Sequence, residues 1–267
     1  METGQLNRYS RILERIFHAQ FQAGMTAVPF SREELTAACG ELGIAVPSNV
    51  GDILYSARYR AGLPASIKDS APTNHEWVVL PAGRGRYSFT LRRILEIAPN
   101  IALAETKVAD ATPGMIAMYA AGDEQALLAR VRYNRLIDVF MGTTCYSLQS
   151  HLRTTIPGLG QVETDELYVG MDKRGIHYVF PVQAKSKRDH IGVVQIEQDF
   201  ALCNHRYPTL LCIPIAAQFM DSGLIALFAF ELQGEQVRIS AEQHYRLVPA
   251  EELTGADLQA YRLRLHE

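Results

Sequence analysis

Two neighbouring apolar segments in the middle of the chain carry polar residues that could perform metal-dependent chemistry. The first segment opens with Glu163 and Asp165, and the second closes with Gln183 and Lys185. Because alternate residues of a β-strand point to the same face, each pair would share one face of its strand. Two adjacent strands of this kind would bring two carboxylates, an amide and an ammonium group together at one end of a sheet.

Oxygen ligands of these types favour a hard divalent cation such as Mg²⁺ (or Mn²⁺), which needs only two or three protein ligands because it keeps several waters. Asp165 and Glu163 offer carboxylates, Gln183 an amide oxygen, and Ala184 its backbone carbonyl. Lys185 could orient an attacking water or balance the charge of a phosphate in the transition state. The set predicts a site for phosphodiester hydrolysis. The alternative is a chance alternation of polar residues on an exposed strand.

At these residues the chain resembles the PD-(D/E)xK nuclease superfamily. Asp165 matches the acidic residue that opens one strand of that family's motif, and Gln183-Ala184-Lys185 matches the (Asp/Glu/Gln)-x-Lys of the next strand. The Gln form resembles Mrr-like restriction enzymes, some of which also contain a winged helix. The resemblance covers about residues 122–235 and implies a restriction-endonuclease-like mixed-sheet α/β domain. Thr164 replaces the family's Pro, and the neutral Gln183 would bind a cation more weakly than a carboxylate, so activity would depend more heavily on Glu163.

The residues after the second strand suit contact with a nucleic-acid backbone. Lys187 and Arg188 could hold the phosphates of the cleaved strand. On the helix that follows, Gln195 and Gln198 could face the site, as residues of the corresponding helix do in the superfamily. An ordinary solvated helix face explains these two glutamines equally well.

The cysteines and histidines do not suggest a second site. Cys39, Cys145, Cys203 and Cys212 are scattered, with no CxxC pair and no histidine at metal-ligand spacing. They are predicted to be buried or half-buried thiols and not zinc ligands or disulfides. His151 and His177 are isolated in the sequence, and neither is expected to act as a general base.

Composition and charge describe an ordinary soluble protein with an uneven charge distribution. The 267 residues are 48% hydrophobic and 21% charged, and the net charge is −3. The first 95 residues carry 11 basic and 8 acidic side chains, whereas the remainder carries 15 and 21. No apolar run approaches the ~20 residues of a membrane span, and the N-terminus lacks a secretory signal. A cytoplasmic protein with a phosphate-binding front half and an acidic catalytic back half is expected.

Residues 1–96 are predicted to form a winged-helix-like domain. The pattern predicts helices over Asn7–Gln22, from the capping residue Ser31 to about Cys39, and from Ser48 to about Arg60. Two apolar runs joined by a Pro-Ala-Gly-Arg-Gly turn predict a β-hairpin over Glu76–Leu80 and Arg86–Leu91. Helix, helix, helix and hairpin is the order of a winged helix-turn-helix.

This domain carries the predicted contacts with double-stranded DNA. Residues 82–93 contain no acidic side chain, so Arg84 and Arg86 at the hairpin turn are expected to contact phosphates. The third helix offers Asn49, Tyr55, Arg58 and Arg60 to a groove. The alternative is a small domain that docks another protein or only supports the second half of the chain.

The rest of the chain is predicted to be a connection over residues 97–121 and an α/β (α+β) domain over residues 122–267. One or two helices are expected between Asp123 and Arg153, then the two site strands, and a helix from Asp189 to about His205. Three further strands are predicted over Thr209–Met220, Gly223–Leu232 and Gln236–Leu247. Together they make an α/β sandwich around a mixed sheet.

The leading hypothesis is a metal-dependent DNA endonuclease of a bacterial restriction or defence type. A winged-helix DNA-binding regulator without catalysis is the alternative from another class, and a structure-specific repair nuclease would share the chemistry. A homodimer is expected because cutting both strands needs two sites or two visits. Apolar residues of the segments Thr209–Met220 and Gly223–Leu232 could form its interface, although a central strand covered on both faces explains them equally well.

Overall fold

The computed structural model describes residues 7–59, 62–95, 97–119, 124–187, 189, 191–221, 223–234 and 236–264. Arg60 and Arg188 lie outside the described residues, as do the side chains of Tyr55 and Arg58. The chain divides into two compact units, the first of residues 1–94 with 155–161 and the second of residues 95–154 with 162–267. No helix among the described residues is long and apolar enough to cross a membrane.

The first unit contains four helices and a three-stranded antiparallel sheet among its described residues. In chain order these are α1 (Arg8–Gln20), β1 (Ala27–Ser31), α2 (Arg32–Glu41), α3 (Gly51–Tyr59), α4 (Ala65–Lys68), β2 (His75–Pro81) and β3 (Arg86–Arg93). The sheet order is β1-β3-β2. Ile12 and Phe17 of α1 pack with Ile53 of α3 and with Trp77 and Phe89 of the sheet in one hydrophobic core.

Local signals determine where the first two helices begin. The side chain of Asn7 accepts hydrogen bonds from the backbone of Tyr9 and Ser10 at the start of α1. Ser31 and Glu34 form the reciprocal capping box predicted for α2. These helices and the hairpin of β2 and β3 are confirmed as predicted elements.

Two features of the first unit differ from the prediction. Helix α3 begins at Gly51 and not at Ser48, because the side chain of Asn49 accepts from the Gly51 backbone and donates to Asp52. Strand β1 was not predicted, since Pro29 lies at its centre and proline cannot donate to a sheet. The strand is possible because β1 is an edge strand that pairs only with β3.

The second unit is built around an eight-stranded sheet. Its described elements are β4 (Glu105–Ala109), α5 (Gly114–Tyr119), α6 (Glu124–Tyr133), α7 (Leu136–Met141), β5 (Thr144–Ile156), β6 (Gly160–Met171), β7 (His177–Lys185), α8 (Val193–Arg206), β8 (Leu211–Cys212), β9 (Ile215–Phe219), β10 (Ile225–Gln233), β11 (Gln236–Val248), a 3₁₀ turn (Ala250–Glu252) and α9 (Gly255–Leu263). The strand order is β4-β11-β10-β9-β7-β6-β5, and β8 pairs with β7.

The sheet is mixed, which confirms the predicted α/β (α+β) class. Strands β4 and β11 are parallel, as are β7 and β9. The pairs β11–β10, β10–β9 and β6–β7 are antiparallel. The parallel step from β7 to β9 runs through α8, as a parallel connection requires a crossover.

Helices cover both faces of the central strands. Ile215 and Ala217 of β9 pack with α6 and α7, whereas Ala216 between them packs with α8. Strand β9 is buried throughout, as is the first part of β10. The apolar residues of these strands are therefore core residues, and the suggestion that they form a dimer interface is wrong. Leu211 of the short β8 is more than half exposed.

Two segments were assigned incorrectly from the sequence. Residues 97–121, predicted as a connection, contain β4 and α5, and β4 forms an edge of the large sheet. The segment from Thr144 to Arg153, predicted as helix, is most of β5. Strand β5 lies at the opposite edge, where residues 146–151 are all exposed, so no alternation of buried and exposed positions marks it.

Helix α9 was not predicted from the sequence, although Thr254 and Asp257 form a capping box at its start.

Candidate functional site

The paired strands β6 and β7 separate where the candidate site begins. Their antiparallel register runs from Met171 opposite His177 to Glu166 opposite Val182. Beyond that point the backbone N–H of Ala184 donates to Asp165 Oδ2 at 2.8 Å. A carboxylate thus takes the place of a backbone acceptor, which fixes the Asp165 side chain at the end of the ladder.

Alternation along β7 decides which face the site occupies. Val182 and Ala184 pack with α6 in one core, so Gln183 and Lys185 belong to the opposite face, which α8 covers. Thr164, the residue before Asp165, is buried and donates from Oγ1 to the carbonyl of Val182 at 3.3 Å. The threonine thereby ties β6 to β7 beside Asp165.

Asp165 is a half-buried carboxylate, and only one of its two oxygens takes part in a hydrogen bond among the described residues. Burial raises its pKa, an effect that the Ala184 N–H and the positive charges of Lys185 and His151 oppose. The negative charge of Glu163 raises the pKa further. The second oxygen, Oδ1, receives no hydrogen bond from the described residues.

Lys185 contacts a carboxylate that was not predicted from the sequence. Its Nζ lies 3.3 Å from Oε1 of Glu124, the first residue of α6. Burial raises the pKa of Glu124, and repulsion from Asp165 adds to that effect, whereas Lys185 lowers it. Glu124 gave no sequence signal of its own, because an acidic residue in the first turn of a helix is common for reasons of the helix dipole alone.

Gln183 is held by a second carboxylate that was not predicted. Its Nε2 donates to Oδ1 and Oδ2 of Asp199 on α8, at 3.1 and 3.0 Å, and to the backbone oxygen of Glu163 at 3.2 Å. Gln183 and Asp199 are both buried. Burial raises the pKa of Asp199 well above its ordinary value, while the bond from Gln183 and the charge of Lys185 act in the opposite direction.

Glu163 lies on the predicted face, but its carboxylate is already occupied. Arg153 of β5 donates hydrogen bonds to both of its oxygens, at 2.8, 3.1 and 3.2 Å. This ion pair is partly exposed to solvent, so it contributes little to the free energy of unfolding. Its main effect is to hold the Glu163 side chain in one position. Glu163 is therefore paired with Arg153 in this structure, whereas Oδ1 of Asp165 receives no hydrogen bond from the described residues.

Lys187, Gln195 and Gln198, which follow the predicted motif in the sequence, have different environments in the structure. Lys187 reaches the backbone oxygen of Asp221 at 3.3 Å and not a residue of the site. Gln195 caps the start of α8 by accepting from the Gly192 N–H at 3.4 Å, so it does not face the strands. Gln198 is buried on the same helix. Asp199, one turn after Gln195, accepts hydrogen bonds from Gln183 of β7.

The neighbour of Asp165 belongs to a separate network on the other face of the sheet. Glu166 is fully buried and accepts from Arg132 Nε at 2.7 Å and from Ser147 Oγ at 2.6 Å. Arg132 also donates to Ser150 Oγ at 3.2 Å. The adjacent acids 165 and 166 thus have different roles, one at the site and one in an ion pair within the α6 layer.

These contacts create a site that contains several buried or half-buried carboxyl groups. Asp165, Glu124 and Asp199 all have raised pKa values for which burial is the largest cause, and Lys185 is the cation that influences all three. Within the described ranges, no group of three or more His, Cys, Asp or Glu side chains is placed to hold a metal alone. A divalent cation held by fewer side chains and by water would favour the ionised form of these carboxyl groups and so lower their pKa values.

The first unit presents an exposed basic turn. Arg84 and Arg86 are exposed on the hairpin of β2 and β3. Gly83 and Gly85 adopt φ values of 117° and 68°, which side chains rarely tolerate, and so permit this tight turn. Asn49, predicted to face a groove, is engaged in starting α3.

Comparisons with known proteins give no match: no family model, no curated protein and no solved structure is similar to this chain. The contacts of the residues described above are therefore the basis on which a function is inferred.

Proposed function

We propose that the second unit is a metal-dependent nuclease that hydrolyses phosphodiester bonds in DNA. The observation that carries this proposal is the arrangement of Asp165, Glu124 and Lys185. Ala184 donates to one oxygen of Asp165 while the other receives no hydrogen bond from the described residues, and Lys185 contacts Glu124 at 3.3 Å. The element order also supports the resemblance to PD-(D/E)xK nucleases, since a helix precedes and a helix follows the strands that carry the motif.

The residues present fit a magnesium or manganese ion. Asp165 and Glu124 would supply carboxylate oxygens, and the carbonyl of Ala184 and the amide oxygen of Gln183 could complete the protein ligands. When bound, the ion would neutralise the scissile phosphate. Lys185 would orient the attacking water or balance the charge that develops in the transition state, because its ammonium lies among these carboxylates.

The first unit is proposed to bind double-stranded DNA as a winged helix. Its elements follow the order helix, strand, helix, helix, strand, strand, apart from the short α4, and its sheet order is β1-β3-β2. Exposed Arg84 and Arg86 would contact phosphates at the hairpin, and α3 would approach a groove. Restriction or defence is the proposed setting, and a repair-type nuclease would use the same chemistry.

A non-catalytic DNA-binding regulator is the second candidate. The observation that favours it is the pairing of the site's polar groups with one another, Lys185 with Glu124 and Gln183 with Asp199. Buried polar groups in a purely structural sheet would be satisfied in the same way.

Incubation of the full-length protein with supercoiled plasmid separates the two candidates. A nuclease is expected to nick or cut the DNA with Mg²⁺ or Mn²⁺ and to leave it intact with a chelator. Cleavage that persists in chelator would contradict the metal mechanism. DNA binding without cleavage in any divalent cation would favour the regulator.

A further inference from the structure

We propose that His151 of β5 is a substrate-binding residue of the candidate active site, where its imidazole donates a hydrogen bond to a phosphate of the strand held beside Asp165. This inference rests on the proposed nuclease function and adds a residue from a third strand, outside the motif on β6 and β7.

The backbone at His151 is unusual for a strand. Its φ is 49°, in the left-handed region that residues other than glycine seldom adopt. The two other described non-glycine residues with positive φ, Asn74 and Arg135, precede β2 and α7 and lie outside strands. Strain of this kind costs free energy and is often kept where function requires it.

The alternation of side chains along β5 is broken just before His151. Ser147 donates to Glu166, and Ser150 accepts from Arg132, so both serines contact the same ion pair. In a regular strand, residues three positions apart would face opposite sides. The strand must therefore contain a local irregularity, and such irregularities redirect side chains next to active sites.

Beyond the break, β5 turns its side chains toward the candidate site. Arg153, two residues after His151, contacts Glu163 at 2.8 Å, and Glu163 shares its face of β6 with Asp165. This contact brings the part of β5 that contains His151 next to the part of β6 that carries Asp165. Independently, a positive charge on His151 lowers the pKa of Asp165, so the two side chains are electrostatic neighbours.

The environment of His151 suits an external phosphate. Its side chain is exposed and makes no hydrogen bond with a described residue. Two cations near these acids, Arg153 and Lys185, are each paired with a carboxylate. A phosphate approaching this acidic site needs a donor that is still accessible, and an imidazole N–H provides one.

Two substitutions separate this role from a structural one. Glycine and asparagine both tolerate the left-handed backbone, so His151→Gly and His151→Asn should retain the melting temperature of the wild-type protein. Plasmid cleavage by His151→Gly should fall by about tenfold or more, as expected for loss of one hydrogen bond to a charged group. His151→Asn keeps an N–H donor on a shorter side chain, so its cleavage rate should lie between those of His151→Gly and the wild type. His177→Asn, at the opposite end of β7, is the control. If His151→Gly cleaves at the wild-type rate, the inference is wrong.

A binding measurement tests His151 without relying on cleavage. Inorganic phosphate added to the Mg²⁺-loaded full-length protein should shift the imidazole resonances of His151 more than those of His177. Equal shifts, or none, would overturn the inference whether or not the protein cleaves DNA. A selective shift in a protein that never cleaves would retain the phosphate contact and reject the nuclease reaction.

Discussion

The side-chain amide of Gln183 donates to both carboxylate oxygens of Asp199, at 3.1 and 3.0 Å, in a region closed to solvent. The ionised carboxylate of Asp199 accepts only, and this contact turns Nε2 of Gln183 toward α8 and Oε1 away from it. Asp199 is thus a positioning residue for the one neutral member of the motif.

Asp199→Asn should weaken metal binding. Asparagine offers both a donor and an acceptor, so the Gln183 amide could turn over and withdraw its oxygen from the proposed site. We expect Mn²⁺ affinity, measured by calorimetry, to fall about 10- to 100-fold, the usual effect of losing a partner that orients a ligand. Asp221→Asn, at a fully exposed side chain, is the control. Equal affinities in the two variants would remove Asp199 from the site.

The raised carboxyl pKa values predict how stability depends on pH. Burial raises the pKa of Asp199, Asp165 and Glu124, so the folded protein holds these protons more tightly than the unfolded chain. Their contribution to stability is complete below a pH of about 4, which is the pKa of these groups in the unfolded chain. It is lost as the pH rises through the higher pKa values that the groups have in the folded protein. With chelator present, the melting temperature should fall over that window. Asp199→Asn should flatten the fall, and identical curves would contradict the assignment.

Lys185→Ala and Asp165→Asn should strongly reduce cleavage while the fold is retained. Asparagine can still accept the hydrogen bond from Ala184, so Asp165→Asn removes charge with little change in geometry. We expect a decrease of about 10²–10³-fold for Lys185→Ala, comparable to removal of one transition-state donor. Lys173→Ala, in the turn between β6 and β7, is a lysine control. Wild-type cleavage rates in both site variants would show that the motif assignment is wrong.

Joint replacement of Arg84 and Arg86 by alanine should weaken binding to all DNA sequences alike. The slope of log affinity against log salt should become shallower by about 0.9 for each phosphate that the variant no longer neutralises. Fluorescence anisotropy with unrelated duplexes at several salt concentrations measures this. Joint replacement of Arg8 and Arg11 on α1 removes the same charge from another exposed surface. An equal change of slope in both double variants would indicate a general charge effect and not an interaction at the hairpin.

If the protein cuts both strands of DNA, we expect two copies of the chain to act together. One Asp165–Lys185 site can cut one strand, and a two-fold dimer would match the pseudo-symmetry of duplex DNA. Sedimentation on DNA should then show a dimer, and the plasmid should become linear. A monomer both free and on DNA, with nicked products only, would exclude the dimer. The buried strands β9 and β10 are not its interface, because helices cover them.

The sequence alone determined the features that depend on local geometry. Alternation along a strand placed Glu163 with Asp165 and Gln183 with Lys185, because the two-residue period is intrinsic to an extended chain. The capping box at Ser31 marked the start of α2, since its hydrogen bonds lie within one turn. The strands β10 and β11 were likewise predicted from their own apolar residues and turns.

Only the tertiary structure decided which residues meet at the site. Glu124 and Asp199 lie on helices on either side of the motif, and chain folding brings them to Lys185 and Gln183. No local pattern distinguishes them from other helical acids, because their role depends on burial and on partners distant in sequence. The same is true of β5, an exposed edge strand whose pairing with β6 brings the charge of His151 close enough to influence Asp165. Contacts between distant segments, and the burial that they create, are properties of the folded chain.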